Sequence, residues 1–463
     1  MSAAPSDFPL QAAIRMFLDD VSYSSALPEW FDALTILYTT RETNLRRRIA
    51  EYEAGQSPKA PFRIVVPKRN GKSNNWTSPS INDQILMQTC VLAISKPVDK
   101  AVDRTHVYSY ALNSDPNRVT LIEDSVDAWK RFRAAVQSRC NSDNCMLQID
   151  LKDAFGSIKL VAFFQFLRSA AGSSRAVALL ERLLKAFSLP DEGLPFINDS
   201  IFFLGNAYLS KADAIIRAHT PNFVRFADDY KIFGASVPQL EAMLPSIRTG
   251  LAKIGFEIND GKTKLGAGEA FLDAVANTGR ATTQKTEYVP ATTQHGLVNA
   301  ADMYKLVASA VADPDQFLHQ GFGRLQLGAI RRMRARALLT DMQNLGDSPA
   351  EQLSAAIFGD NALVERICDL LERYSTDDSN AWRLIWLLYL CKNGASAART
   401  DDPLRQRLRG LIAAINRSDK VSPVCRLWAA PMPGFPAPKI APAEIEVLHG
   451  LEYVERGRRC YDG

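Results

Sequence analysis

The sequence lacks both the cysteine spacing and the long apolar runs that mark several classes of protein. Its seven cysteines are scattered and odd in number, and no two of them form a Cys-x-x-Cys pair. This argues against a disulfide framework and against a thiolate metal site. No apolar stretch reaches the length of a membrane span, and residues 1–20 lack the basic start and apolar run of a signal peptide. We therefore expect a cytoplasmic protein with no membrane partner.

The chain also has little excess of positive over negative charge, because its formal net charge is only +4 over 463 residues. The positive residues are nevertheless bunched. Residues 41–72 carry nine Lys or Arg and three Glu, and five Arg lie between positions 324 and 336. Two basic segments favour a polyanionic ligand. The apolar share of 46% and charged share of 23% are typical of globular chains, and the length favours more than one domain.

Short β-rich runs alternate with helical patterns in the first part of the chain. They lie at Phe62–Pro67, Cys145–Asp150, Phe223–Phe226 and residues 230–233. Beyond residue 299, apolar residues recur at helical spacing in segments 303–311, 325–339, 363–374, 382–390 and 404–415. The pattern predicts a mixed α and β part over residues 1–290 and an all-α, repeat-like part over residues 291–463. Trp382 and Trp386 are expected to be core residues.

Carboxylates occur at two strand ends. Asp228 and Asp229 lie between two apolar strands, as in a hairpin tip, and taken alone such a pair is more often a solvated turn. Asp150 ends another predicted strand, and a helix is expected to open at Leu151. If the two strand ends face each other, three carboxylates converge and need cations to relieve their repulsion. Two Mg²⁺ ions held in this way support in-line nucleotidyl transfer.

At this point the sequence resembles the reverse transcriptases. Asp150 and Phe155 match the Asp and aromatic residue of the family's motif A, and Phe226-x-Asp228-Asp229 matches motif C. Further matches are Gly193-Leu-Pro195 with Asn206-Ala-Tyr208 for motif B, residues 255–263 with Lys262 for motif D, and residues 66–72 for the basic fingers hairpin. The resemblance covers about residues 60–275. It implies a right-hand polymerase of α+β class, with fingers and a ferredoxin-like palm sheet.

The resemblance also implies roles for individual residues. Asp150, Asp228 and Asp229 would bind two Mg²⁺ ions, or Mn²⁺ in their place, and Lys262 would protonate the departing pyrophosphate. Asp229 has an alternative reading as a carboxylate that only orients the hairpin. Phe155 would exclude the ribose 2′-hydroxyl, or is simply a core residue. The residues that would contact deoxynucleoside triphosphates are Leu151, Pro195, Lys68, Arg69 and Lys72, and those that would contact nucleic acid are Arg331, Arg332 and Arg336. The alternative for Lys68, Arg69 and Lys72 is a solvated basic hairpin. The alternative for the three arginines is a solvated helix face or a subunit contact.

Two departures from the family pattern bear on the template. Where most templated members carry Gln and Gly in motif B, this chain has Phe196 and Ile197. The long helical extension is similar to that of abortive-infection and other defence-associated reverse transcriptases of bacteria. That likeness implies a homo-oligomeric antiviral polymerase that extends single-stranded DNA from a protein tyrosine without a template. The alternatives are a reverse transcriptase that copies a partner non-coding RNA, and a catalytically silent nucleic-acid-binding effector.

Overall fold

The computed structural model describes residues 8–23, 41–67, 73–115, 120–140, 144–188, 193–271, 300–314, 356–391, 402–422, 425–426 and 429. Strands in these residues are β1 (Phe62–Pro67), β2 (Ser73–Ser78), β3 (Cys145–Asp150), β4 (Phe223–Phe226), β5 (Asp229–Gly234) and β6 (Lys264–Ala267). The helices are α1 (Leu10–Tyr23), α2 (Arg41–Glu53), α3 (Ile81–Asp99), α4 (Ser125–Arg139), α5 (Leu160–Ala171), α6 (Arg175–Phe187), α7 (Asp199–Tyr208), α8 (Ser210–His219), α9 (Val237–Lys253), α10 (Ala300–Ala312), α11 (Asn361–Tyr374), α12 (Ala381–Cys391) and α13 (Pro403–Arg417).

The mixture of helices and small sheets confirms the expectation of an α+β chain in its general form. The chain divides into two compact units. The first combines residues 1–16, 47–58 and 85–288, and the second combines residues 17–46, 59–84 and 289–463. The predicted boundary at residue 290, between fingers and palm on one side and a helical repeat domain on the other, stays a prediction.

A four-stranded antiparallel sheet in the order β4-β5-β3-β6 organises the first unit. One face of the sheet packs against α4. Phe132 and Val136 of this helix join Met146, Val224 and Phe233 of the strands in one buried cluster. These strand residues alternate in sequence with residues on the other face, as the two-residue period of a strand requires. Burial of this apolar surface fixes which side chains point to which face.

Helices α7, α8 and α9 surround the rest of the first unit. Helix α9 packs along β3, β5 and β6 and beside α8. Its buried residues Leu240, Ile247 and Leu251 recur at helical spacing, so one stripe of the helix faces the unit's interior. The Ser236 hydroxyl caps the helix by accepting from the Gln239 amide. These contacts hold the sheet between two helical layers and leave its strand ends to form the site.

The second unit joins the β1–β2 hairpin with helices from the end of the chain. Strand β1 packs against α12, and α11 packs against α10, α12 and α13. Trp382 and Trp386 are each 1% exposed, which confirms that they are core residues. No helix within the described residues is long and apolar enough to cross a membrane.

Candidate active site

Asp150 and Asp229 face each other across two neighbouring strands. Asp150 ends β3, Asp229 begins β5, and the antiparallel register pairs them directly. Directly paired residues of two strands point to the same face of a sheet. The expectation that two carboxylate-bearing strand ends come together is therefore met in the structure. The pairing places two acidic side chains where their repulsion must be relieved by other groups.

Asp228 lies in the tight turn that joins β4 to β5. Phe226 pairs with Asp229, so that Ala227 and Asp228 form a two-residue turn between the strands. The Leu151 amide donates to the Asp228 carbonyl oxygen at 3.1 Å, which ties the turn to the end of β3. Ala227 has a φ of +53°, in the left-handed region that such hairpin turns require and that L-residues rarely adopt. The turn is thus held in a conformation that its own residues do not favour.

Ser109 and Arg225 hold this strained turn from two sides. The Ala227 amide donates to Ser109 Oγ at 2.8 Å, and Arg225 Nη1 donates to the Ala227 carbonyl oxygen at 2.9 Å. Ser109 Oγ in turn donates to Asn206 Oδ1 at 2.9 Å. Buried hydrogen bonds of this kind offset a local conformational cost of roughly 1–2 kcal/mol. The position of Asp228 is therefore set by a nearby strand residue, Arg225, and by Ser109, which is more than a hundred positions away in sequence.

The Arg225 guanidinium is the centre of a buried polar network that the sequence did not reveal. Its Nε and Nη2 atoms donate to the two carboxylate oxygens of Asp213 at 2.7 and 2.8 Å. Asn206 accepts from Arg225 Nη1 at 2.6 Å, and the Tyr230 hydroxyl donates to Asp213 at 2.9 Å. The signal in the sequence was an arginine inside an apolar strand, between Val224 and Phe226. Such an arginine needs a buried carboxylate partner.

Burial and partners shift the pKa values of this network. Burial alone lowers the pKa of Arg225, but Asp213 outweighs this effect and the net shift is upward. Burial, and then the charge of Asp213, raise the pKa of Tyr230 well above its usual value. Both shifts favour a charged Arg225 and a neutral Tyr230.

Two lysines lie against the acidic residues. Lys231 Nζ donates to both carboxylate oxygens of Asp229, at 2.9 and 2.8 Å. Lys262 Nζ donates to Asp150 Oδ1 at 2.9 Å, and Asn259 Nδ2 donates to Asp150 Oδ2 at 3.1 Å. The structure thus brings together four predicted catalytic residues, Asp150, Asp228, Asp229 and Lys262, and adds Lys231 and Asn259 to them.

The charges of the site raise the pKa values of two of its acids. Burial, and then repulsion from Asp150, raise the pKa of Asp228 to about 6. Burial also raises the pKa of Asp229, although Lys231 opposes the shift. Burial lowers the pKa of Lys231. Burial lowers that of Lys262 as well, but the bond to Asp150 outweighs it, so the pKa of Lys262 is raised.

Because the site disfavours the ionised form of Asp228, a bound cation would stabilise this carboxylate. Carboxylate oxygens are the ligands that Mg²⁺ and Mn²⁺ take in proteins, so Asp150 and Asp228 fit a divalent cation chemically. Among the residues that the structure describes, no three His, Cys, Asp or Glu side chains are grouped closely enough to hold a metal ion. Lys231 engages both carboxylate oxygens of Asp229.

Comparison with known families is consistent with these carboxylates and the sheet that carries them. The family model of reverse transcriptase (RNA-dependent DNA polymerase) matches residues 67–289. This segment is a reverse transcriptase domain. It contains the paired strand ends, the Asp228 turn and Lys262, and it confirms the resemblance in its general form. Domains of this kind generally use divalent metals such as Mg²⁺. No curated protein matches the chain.

The segment after Asp150 in the reverse transcriptase domain differs from expectation. Residues 152–157 form turns, and the next helix, α5, begins only at Leu160, so the prediction of a helix opening at Leu151 is wrong. Asp153 has a φ of +46°, which a helix does not allow. Its carboxylate occupies the space beside Gly156, where a Cβ atom would overlap it. The chain therefore folds back on itself before it enters the helix.

Phe155 lies in this turn and packs against helix α7. Its ring stacks on Phe202 with a centroid distance of 5.7 Å and meets the edge of Phe196 at 6.3 Å. A Cβ atom at Gly205 would overlap the Phe155 ring, so only glycine allows this approach. Pro195 is buried nearby, after Leu194, whose amide donates to the Phe155 carbonyl oxygen at 3.0 Å.

The other predicted residues divide into two groups. Leu151 is 1% exposed and bridges to Ile258, so its side chain is part of the core. The predicted triphosphate-binding and nucleic-acid-binding cations lie outside the described residues: Lys68, Arg69, Lys72, Arg331, Arg332 and Arg336.

Proposed function

We propose that this protein is a DNA polymerase of the reverse transcriptase type that adds deoxynucleotides in bacterial antiviral defence. In this proposal synthesis is template-independent and starts from a protein tyrosine. The observation that carries the polymerase reading is the direct pairing of Asp150 with Asp229 beside the Asp228 turn, inside the reverse transcriptase domain. The proposal places fingers and palm in residues 1–290 and a helical domain in residues 291–463, in a homo-oligomer of the bacterial cytoplasm.

Each residue of the site has a role in this reaction. Asp150 and Asp228 would hold divalent cations, which, when bound, offset the charge on the attacking and leaving oxygens. Lys262, whose side chain is 60% exposed and whose pKa is raised, carries a proton at Nζ for the leaving pyrophosphate. Phe155 presents a ring with no hydrogen-bonding group to the sugar, which favours deoxynucleotides.

Cations elsewhere in the chain complete the proposal. Lys68, Arg69 and Lys72 would contact the triphosphate, because several donors on one turn can follow a phosphate chain as its charge shifts. Arg331, Arg332 and Arg336 would contact the DNA product. Both assignments depend on residues outside the described part of the chain.

The motif B residues support synthesis without a template. Phe196 packs against Phe155 and Phe202, and Ile197 is 5% exposed. Neither side chain has a polar group to contact a template base, in contrast with the Gln of most templated relatives. The description of the matched family as RNA-dependent favours the second candidate, a polymerase that copies a partner non-coding RNA.

The test uses purified, nuclease-treated protein with Mg²⁺ and labelled deoxynucleotides, with no template or primer. Products are run on denaturing gels before and after protease treatment. We expect label that migrates with the protein, is released by protease and is absent in Asp228→Asn, with Asp419→Asn as an exposed control that retains activity. Peptide mass spectrometry then identifies the tyrosine.

The other outcomes separate the alternatives. Label that appears only when co-purified nucleic acid is retained would support the RNA-templated candidate. Label in neither condition, with phage defence unchanged in Asp228→Asn, would overturn both polymerase readings in favour of a silent effector.

A further inference from the structure

The pair formed by Lys231 and Asp229 differs from an ordinary ion pair in the burial of its cation. The Lys231 side chain is 6% exposed, and its ammonium group lies against both oxygens of Asp229 at 2.8 and 2.9 Å. Residues 229 and 231 point to the same face of β5, since side chains alternate along a strand. A buried ammonium group has no water to replace its partner and stays where its counter-ion is.

The pair formed by Lys262 and Asp150 has the opposite character. Lys262 makes one bond to Asp150, and its side chain is 60% exposed. An exposed lysine exchanges its partner for water at little cost, because surface ion pairs contribute little to stability. Lys262 can therefore leave Asp150 when another cation binds there, whereas Lys231 cannot leave Asp229.

Asp228 differs from both neighbours. In the part of the chain that the structure describes, no lysine, arginine or histidine forms an ion pair with its carboxylate. Asp150 and Asp229 both repel its charge, and Lys262 attracts it without an ion-pair contact. Of the three acids, Asp228 has the least compensated charge, Asp150 has a removable partner and Asp229 has a fixed one.

We infer that Lys231 serves as a built-in counter-ion for Asp229, so that Asp150 and Asp228 take up the divalent cation and Asp229 is a positioning residue. The inference rests on the proposed function and specifies which carboxylates of that site bind the cation. Asp229 is the first residue of β5, where the register fixes it opposite Asp150, and it contributes by binding the Lys231 ammonium group.

The surroundings of Lys231 explain why its ammonium group points to Asp229. Its strand neighbours in the register are Gln148 on β3 and Val224 on β4, neither of which carries a charge. Lys264 on β6 is exposed and of the same sign, and it repels Lys231. Within the described residues, both hydrogen bonds of the Lys231 ammonium group go to the carboxylate oxygens of Asp229, and Asp150 attracts the group without such a bond.

Mn²⁺ binding to the nucleotide-free protein tests the inference without any need for activity. The free Mn²⁺ signal is measured by electron paramagnetic resonance during titration. The Asp229→Asn/Lys231→Met double variant removes both charges together and leaves neither buried alone. We expect its dissociation constant to lie within about threefold of the wild-type value, whereas Asp150→Asn and Asp228→Asn each weaken binding by about tenfold or more.

Lys231→Met alone is the complementary variant. It releases Asp229, so we expect Mn²⁺ to bind at least about fivefold tighter, or a second equivalent to bind. Lys264→Met is the matched control, because it removes the same charge from an exposed position of β6, which is separated from β5 by β3. We expect it to change binding by less than about twofold.

Three results would overturn the inference. The first is loss of Mn²⁺ affinity in the double variant equal to that in Asp228→Asn, with wild-type binding intact, which leaves the proposed function standing. The second is unchanged affinity and stoichiometry in Lys231→Met, which stays informative if the double variant does not fold. The third is absence of Mn²⁺ binding in the wild type, which would also remove the cation from the proposed function.

Discussion

Arg225 and Asp213 form a bidentate ion pair whose side chains are 0% and 2% exposed, directly beneath the turn that carries Asp228. Arg225 also bonds to the Ala227 carbonyl oxygen of that turn. The pair therefore links the stability of the first unit to the placement of its carboxylates. Neither residue was predicted from the sequence to belong to the site.

Replacement of Arg225 by methionine should destabilise the first unit strongly, because it leaves the Asp213 carboxylate buried without a cation. We expect a loss of about 3–5 kcal/mol in the free energy of unfolding, measured by urea denaturation. Arg217→Met is the matched control, since Arg217 bonds to Asp103 with both side chains more than a third exposed. Its loss should stay below about 1 kcal/mol. Equal effects of the two variants would contradict the role given to the buried pair.

Asp228→Asn should stabilise the metal-free protein at neutral pH while it abolishes activity. The folded-state pKa of Asp228 is about 6, above the ordinary value of 3.8, so the charged form is disfavoured by the fold. The cost is absent below about pH 4, grows as the pH rises to about 6, and reaches up to about 3 kcal/mol above it. Thermal unfolding in a chelator at pH 4 and pH 7.5 checks this.

The control for this prediction is Asp260→Asn, which should have the opposite sign at pH 7.5. Asp260 is exposed, and its bond to Arg248 lowers its pKa. A stability difference between Asp228→Asn and the wild type that does not change with pH would show that the charge of Asp228 is not its cause.

Gly205→Ala should destabilise the protein although alanine favours helices. The new methyl group would overlap the ring of Phe155 and move it away from α7. We expect a loss of about 1–3 kcal/mol and weaker discrimination against ribonucleotides, measured by unfolding and by incorporation ratios. Gly410→Ala in α13 meets no atom within 4 Å and should instead stabilise by about 0.5–1 kcal/mol. A stable Gly205→Ala with unchanged selectivity would exclude this packing.

Lys262→Gln should slow nucleotide addition without affecting the fold. Its amine is 60% exposed and carries the proton proposed for pyrophosphate, so we expect kcat to fall by about 10²-fold or more and the unfolding midpoint to stay unchanged. Lys152→Gln, which removes an exposed lysine paired with Glu257 at 3.3 Å, is the control and should retain the wild-type rate. A drop in stability together with the rate would point to a structural role for Lys262.

The strand ends were predictable because each is a short apolar run that stops at an acidic residue. That pattern predicted β3 to end at Asp150, and the Phe-Ala-Asp-Asp segment predicted the hairpin. The turn after Asp150 was not, since Asp153 adopts a left-handed conformation that aspartate takes only occasionally and that the apolar pattern does not indicate. Lys231 and Arg225 were missed because a cation among apolar strand residues does not reveal its partners, which only the folded protein brings to it.

Asn259 and Lys262, the residues that engage both oxygens of Asp150, come more than a hundred positions after it in the chain. The Asn259 amide also donates to the Asp150 carbonyl oxygen at 2.8 Å, beside the point where β6 joins the sheet as an edge strand. During synthesis Asp150 and the Asp228 turn emerge before these partners do. A nascent chain therefore lacks the side-chain partners of Asp150 until residue 262 has been made, when most of the first unit has already been synthesised.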